Sequence, residues 1–136
     1  MTASKKQIIQ RQRQLQQAGW DWDVSLFHAV GPHSGHETRR HYLVKAAIAN
    51  IIANDGGRFV TEAEHDQRGV ADIISLRPER ERAVVIEVET DASRDKILAK
   101  SEQYRGPHIE RVFVIDPTEA PESVDDWGEW LEGELR

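Results

Sequence analysis

The chain has 136 residues, of which 38% are hydrophobic and 31% charged, and it contains no cysteine. This composition is typical of one globular domain with a modest core, here expected to span 1–136, and it excludes disulfides and thiolate metal sites. No apolar run approaches the length that crosses a bilayer, and residues 1–17 lack the apolar segment of a secretory signal. We therefore expect a cytoplasmic protein with no membrane partner.

The net charge of −6 is unevenly distributed. Residues 119–136 hold seven acids against Arg136, whereas residues 1–18 hold four bases and no acid. The sequence thus predicts a basic N-terminal helix at 1–18, a neutral body and an acidic C-terminal segment at 119–136. The basic helix could meet DNA phosphates or the acidic segment, which is either solvated surface or a cap on the core.

Hydrophobic periodicity and turn residues predict the elements in chain order. Helices are predicted at residues 4–18, 36–55, 93–106 and 124–136, and the last is weakened by two glycines. Strands are predicted at residues 58–66, 69–77, 82–90 and 110–117. Residues 20–35 are predicted to be irregular. Gly19 is expected to end the first helix, and Ser93 to cap the third.

Three acids fall where two of these strands are expected to meet. Glu87 and Glu89 are two residues apart, so both carboxylates point to one side of a strand. Asp72 lies on the preceding strand, across a short hairpin. Converging carboxylates repel one another, and a divalent cation with a preference for oxygen ligands removes that cost. The pattern therefore predicts a Mg²⁺ (or Mn²⁺) site, although an ordinary salt-bridged strand edge explains the pair equally well.

The motifs "GVADII" and "VVIEVET" resemble those of the PD-(D/E)XK nuclease superfamily, over about residues 36–116. The resemblance implies an α/β fold with a restriction endonuclease-like core. The elements of that core follow the order helix, three strands, helix, strand. The strands form a mixed sheet flanked by helices, and this chain is expected to have an extra N-terminal helix. It also implies a Mg²⁺-dependent DNA endonuclease that leaves 5′-phosphate and 3′-hydroxyl ends. Asp72 and Glu87 match the metal ligands, Glu37 matches an acid of the long helix, and Glu64 is a weaker candidate.

One position departs from the family pattern. The usual lysine is replaced by Glu89, whose role as metal ligand, general base or neither stays open. Some members supply the lysine from the following helix, where Lys96 and Lys100 are spaced to share one face. A lysine near the cleaved phosphate would stabilise its developing charge. We favour Lys96, because Lys100 is about one turn further from the strand end.

The expected partner is DNA. Candidate DNA-binding residues are Arg39, Arg40, Lys45 and Arg94, together with Gln103, which shares a helix face with Lys96 and Lys100. A homodimer is expected by analogy, because cutting two strands takes two sites.

Other classes of protein stay open from the sequence. The absent lysine favours a nuclease-like fold that has lost catalysis and only binds DNA, and the acidic segment favours a small interaction protein. The spacing of His36 and His41 does not suit a zinc site on one helix face. Four tryptophans, Trp20, Trp22, Trp127 and Trp130, are expected to plug the two ends of the domain or to form a dimer contact.

Overall fold

A computed structural model describes residues 3–23 and 38–136, so Glu37 and the histidines His28, His33 and His36 lie outside the described residues. The helices are α1 (Lys5–Gln17), α2 (Arg39–Asn54), α3 (Arg94–Tyr104) and α4 (Trp127–Glu134), with short 3₁₀ turns at Pro117–Glu119 and Val124–Asp126. The strands are β1 (Trp20–Asp21), β2 (Arg58–His65), β3 (Gly69–Leu76), β4 (Ala83–Val88) and β5 (Ile109–Ile115).

Polar side chains start the first three helices. Ser4, Thr38 and Ser93 each accept a hydrogen bond from a backbone N–H of the first turn, and this satisfies a donor that the helix leaves unpaired. The chain leaves α1 at Gly19, whose φ is +107°. A Cβ atom at that position would lie 2.8 Å from His65 Nε2, so the turn requires glycine.

The five strands form one mixed sheet in the order β1-β2-β3-β4-β5. Strands β2, β3 and β4 pair antiparallel through short turns, and β5 returns through α3 to lie parallel to β4. The register pairs Ile73 with Ile86 and then stops, so β3 and β4 separate just before Asp72 and Glu87. The pairing of β3 with β4 thus ends next to Asp72 and Glu87, the two acids that the sequence predicted as metal ligands.

Apolar residues cover both faces of this sheet, because neighbouring strand residues point to opposite sides. On one face α2 and α4 pack over Ile73 and Ile86. On the other, α1 and the end of α3 pack over Ile74 and Val85. The sheet is therefore the middle layer between two helical layers, and Glu87 is buried where the inner strands β3 and β4 separate.

The structure confirms the predicted helices and the four longer strands, with end shifts of a few residues. The prediction that residues 20–35 are irregular is wrong at Trp20–Asp21, which pair with β2 as a short strand. The acidic C-terminal segment is not merely solvated surface, because Trp127 and Leu131 are buried against α2. Trp20 and Trp22 are buried in the layer on the opposite face, and the expectation that the tryptophans plug the two ends of the domain stays a prediction. No helix within the described ranges is long and apolar enough to cross a membrane.

Candidate active site

Asp72 and Glu87 form a reciprocal pair at the point where β3 and β4 separate. The backbone N–H of Asp72 donates to Glu87 Oε2 at 2.7 Å, and the N–H of Val88 donates to Asp72 Oδ2 at 2.9 Å. These two bonds replace the strand-to-strand bonds that the separation removes. They also fix both carboxylates side by side, and we call this pair the carboxylate fork.

Helix α3 closes one side of the carboxylate fork. Lys100 Nζ lies 3.2 Å from Glu87 Oε1, and the Tyr104 hydroxyl lies 2.8 Å from the same oxygen. That hydroxyl also lies 2.7 Å from the carbonyl oxygen of Val70. Because a phenol has one proton, the Tyr104 hydroxyl has to share it between Glu87 Oε1 and the Val70 carbonyl oxygen.

Helix α2 closes the other side. His41 Nε2 lies 3.8 Å from Asp72 Oδ2. One turn further along α2, Lys45 is only 1% exposed, and its Nζ lies 2.7 Å from Glu62 Oε1. On β2 and β3, the neighbours of Glu62 and Asp72 pair as Thr61 with Ile73 and Ala63 with Ala71, so Glu62, Asp72 and Glu87 lie on three consecutive strands of the sheet. Cationic or protonatable groups from both helices flank these acids.

The two carboxylates of the fork titrate in opposite directions. Burial, followed by the nearby Asp72 charge, raises the pKa of Glu87 to about 7. Burial also acts to raise the pKa of Asp72. However, hydrogen bonds from His41 and the Val88 N–H, with the charge of Lys45, outweigh burial and hold that pKa below its ordinary value. At neutral pH Asp72 is therefore ionised, whereas burial and the charge of Asp72 favour the protonated form of Glu87.

The structure reverses the order of the two candidate lysines. Lys96, which the sequence favoured, donates to the carbonyl of Thr90 at 3.1 Å, whereas Lys100 contacts Glu87. The preference for Lys96 was based on distance from the end of β4, and the catalytic role of either lysine stays a prediction. Helix α3 runs back along the sheet, which brings its second and third turns over the fork. Glu89 follows β4 and is half-buried, close enough to Tyr104 to contribute to the raised pKa of that phenol, after burial and Glu87.

The candidate DNA-binding residues have different surroundings. Arg39 and Arg94 are exposed. Arg40 donates to the carbonyls of Pro117 and Ala120, and Gln103 donates to the carbonyl of Arg68, so both tie parts of the fold together. Lys45 is buried in an ion pair with Glu62, and the prediction that it is a surface phosphate contact is therefore wrong.

Three residues of the site were missed by sequence reasoning, namely His41, Glu62 and Tyr104. Helical spacing offered a signal for two of them. His41 is four residues before Lys45, and Tyr104 is four residues after Lys100, so each shares a helix face with a site lysine. Glu62 could be found only from the pairing of β2 with β3, which the sequence does not specify.

The donor set of the carboxylate fork suits a hard divalent cation. Its atoms are carboxylate oxygens, and Mg²⁺ typically takes one or two carboxylates while it keeps several waters. Within residues 3–23 and 38–136, no three His, Asp or Glu side chains are grouped as a ready-made metal site. Asp72 and Glu87 would therefore be the main protein ligands, and the remaining coordination positions would belong to water and substrate.

No protein-family model, curated protein or solved structure matches this chain. The resemblance to PD-(D/E)XK nucleases therefore depends on the two motifs and the order of the elements.

Proposed function

We propose that this protein is a metal-dependent DNA endonuclease that hydrolyses phosphodiester bonds, built on a restriction endonuclease-like core. The observation that carries the proposal is the carboxylate fork, in which Asp72 and Glu87 are held side by side opposite Lys100. A buried Glu87 beside the half-buried Asp72 and a lysine, where two strands separate, forms a costly arrangement for stability alone. Perturbed acids of this kind concentrate where chemistry takes place.

Asp72 and Glu87 would hold Mg²⁺ or Mn²⁺, with Glu89 as a further acid beside them. When bound, the cation polarises the phosphate and lowers the pKa of a coordinated water. The protein's own contribution is to fix the two carboxylates before substrate arrives, since their backbone hydrogen bonds leave them little freedom. Tyr104 acts as a positioning residue, because its hydroxyl contacts Glu87 and the Val70 carbonyl together.

Lys100 fills the role of the lysine that is absent at position 89. Its ammonium group lies at the fork, where it can stabilise the negative charge that develops on the phosphate. In the reaction, the water oxygen bonds to phosphorus and the bond from phosphorus to the 3′ oxygen breaks. The water's proton is lost to solvent, and the 3′ oxygen gains one as it leaves. The products are a 5′-phosphate and a 3′-hydroxyl.

DNA is the proposed substrate because the resemblance is to DNA nucleases and because Arg39 and Arg94 are exposed at the starts of α2 and α3. Contacts from such residues to phosphates provide affinity without sequence reading. A homodimer would place two sites on one duplex.

Two lysines on one helix provide a matched test. Lys100→Met keeps the aliphatic stem, removes the charge at Glu87 and should lower single-turnover nicking of supercoiled plasmid in Mg²⁺ by about 10²- to 10³-fold. Lys96→Met removes the same charge four residues away and should leave the cleavage step intact. Equal rates for both variants and the wild type would contradict the role of Lys100. If wild-type protein binds DNA but cuts none with Mg²⁺ or Mn²⁺, the protein is a binder that has lost catalysis.

A further inference from the structure

Helix α1 presents a stripe of hydrogen-bond donors to solvent. Lys6, Gln10, Arg13 and Gln17 are all exposed and recur every three or four residues, which places them on one side of the helix. The helix contains no acidic residue. Among the ion pairs of the described residues, none involves Lys6 or Arg13. The stripe is therefore a positive surface without neutralising partners in the described structure, on a protein of net charge −6.

The acidic C-terminal segment does not cover this stripe. Its helix α4 packs on the sheet face that carries Ile73 and Ile86, whereas α1 packs on the face that carries Ile74 and Val85. The two oppositely charged ends of the chain thus lie on opposite sides of the sheet. Of the two partners that the sequence allowed for the basic helix, the acidic segment is excluded by this placement.

We propose that the α1 stripe binds the phosphate backbone of duplex DNA alongside the cleavage site. Lys6 and Arg13 are seven residues apart, or about 10 Å along a helix. That length matches about three base pairs of duplex, at 3.4 Å for each. Gln10 and Gln17 add amide donors, which also bind phosphate oxygens. Lys5, Lys6, Ile9, Gln10 and Arg13 line a shallow groove of about 650 Å³ on this side of the helix.

A membrane surface is the other common partner of a basic helix, and the packing of α1 argues against it. Helices that bind membranes insert an apolar face among the lipids. The apolar residues Ile8 and Leu15 of α1 are 3% and 0% exposed, because they are buried against the sheet. On the face that remains for a partner, Ile9 is the one partly exposed isoleucine among cationic and amide side chains, and those side chains suit a phosphate backbone.

The stripe is connected to the proposed active site by a continuous piece of structure. The carbonyl of Ala18, just after α1, lies 2.9 Å from His65 Nε2 at the end of β2. The turn that follows is tied to α3, because Gln103 Nε2 donates to the Arg68 carbonyl at 2.7 Å. Lys100 lies one turn before Gln103, at the carboxylate fork. These contacts join α1, the turn between β2 and β3, and the helix that carries Lys100.

The inference rests on the proposed function only for the choice of DNA as the ligand. Its test therefore measures DNA binding without divalent metal, where the proposed cleavage cannot take place. Affinity for a labelled 20-base-pair duplex is measured by fluorescence anisotropy in EDTA at several salt concentrations. Each phosphate contact contributes about 0.9 to the slope of log affinity against log salt. Lys6→Gln/Arg13→Gln should therefore lower the slope by about 2. Glutamine favours helices about as well as lysine and arginine do, so α1 should stay folded, which circular dichroism checks.

The matched control is Arg82→Gln/Arg136→Gln, which removes the same charge from exposed residues beside α4. It should leave the slope unchanged. An unchanged slope for the helix variant, an equal loss in the control, or no wild-type binding at 50 mM salt would overturn the inference. If the helix variant has an unchanged slope while the wild type cleaves plasmid, the DNA contact of the stripe is contradicted and the nuclease proposal stands. If DNA binding depends on the stripe but the wild type does not cleave in Mg²⁺ or Mn²⁺, the nuclease proposal is contradicted and the DNA contact stands.

Discussion

The buried carboxyl of Glu87 in the carboxylate fork should make the free energy of unfolding depend on pH. Burial, with the Asp72 charge beside it, raises the pKa of this carboxyl from 4.5 to about 7. Below pH 4.5 Glu87 is protonated in both the folded and the unfolded chain, so it has no effect on their balance. As the pH rises towards 7 the unfolded chain ionises first, and the folded state loses about 1.4 kcal/mol for each pH unit. The free energy of unfolding should therefore be lower by about 3 kcal/mol above pH 7 because of this residue.

Glu87→Gln removes the titration and keeps the shape of the side chain. We expect urea unfolding in EDTA to show that the free energy of unfolding of the variant, relative to that of the wild type, rises by about 3 kcal/mol between pH 4.5 and pH 8. Titrating groups that do not interact with Glu87 contribute equally to both proteins and cancel in the difference. Asp72→Asn should reduce the pH dependence without abolishing it, because burial of Glu87 remains. If wild type and Glu87→Gln have parallel curves, Glu87 is not the buried, shifted acid described here.

Two further predictions follow from the metal ligands and the C-terminal layer. Millimolar Mg²⁺ or Mn²⁺ should raise the melting temperature of the wild type, because a ligand that binds the native state stabilises it. Asp72→Asn should lose this response. A wild type that melts at the same temperature with and without metal would contradict the metal site. Removal of residues 119–136 takes Trp127 and Leu131 out of the core, where truncating one such side chain typically costs about 3–5 kcal/mol. The truncated chain should therefore unfold or aggregate in a thermal melt and gel filtration, and a stable monomeric product would contradict the packing.

Local patterns were sufficient to predict most of the elements. The apolar stripe of α2, the short hairpin between β3 and β4, and the cap at Ser93 are each encoded within a few neighbouring residues. β1 was missed because two residues give no periodicity, and its strand character comes from pairing with β2. The C-terminal helix was predicted, but its role in the core depends on α2, which lies far away in the sequence.

The site was predictable to the extent that its groups lie on adjacent strands. Asp72 and Glu87 met as expected, because a tight antiparallel hairpin leaves little choice of register. The choice between Lys96 and Lys100 depends on the direction in which α3 crosses the sheet, and spacing alone does not give that direction. The burial of Lys45 depends on its ion pair with Glu62, which forms across two elements and leaves no pattern in either one.

The most direct test of the account is single-turnover cleavage of supercoiled plasmid as a function of Mn²⁺ concentration, with wild type and Asp72→Asn in parallel. The account predicts that the wild type nicks DNA only when the cation is present and leaves 5′-phosphate ends. Asp72→Asn should stay folded, bind DNA and cut at least about 10²-fold more slowly at every Mn²⁺ concentration, as expected for loss of a group that stabilises the transition state. Cleavage in EDTA, or equal cleavage by the two proteins, would contradict the assignment of the carboxylate fork as a metal-dependent active site.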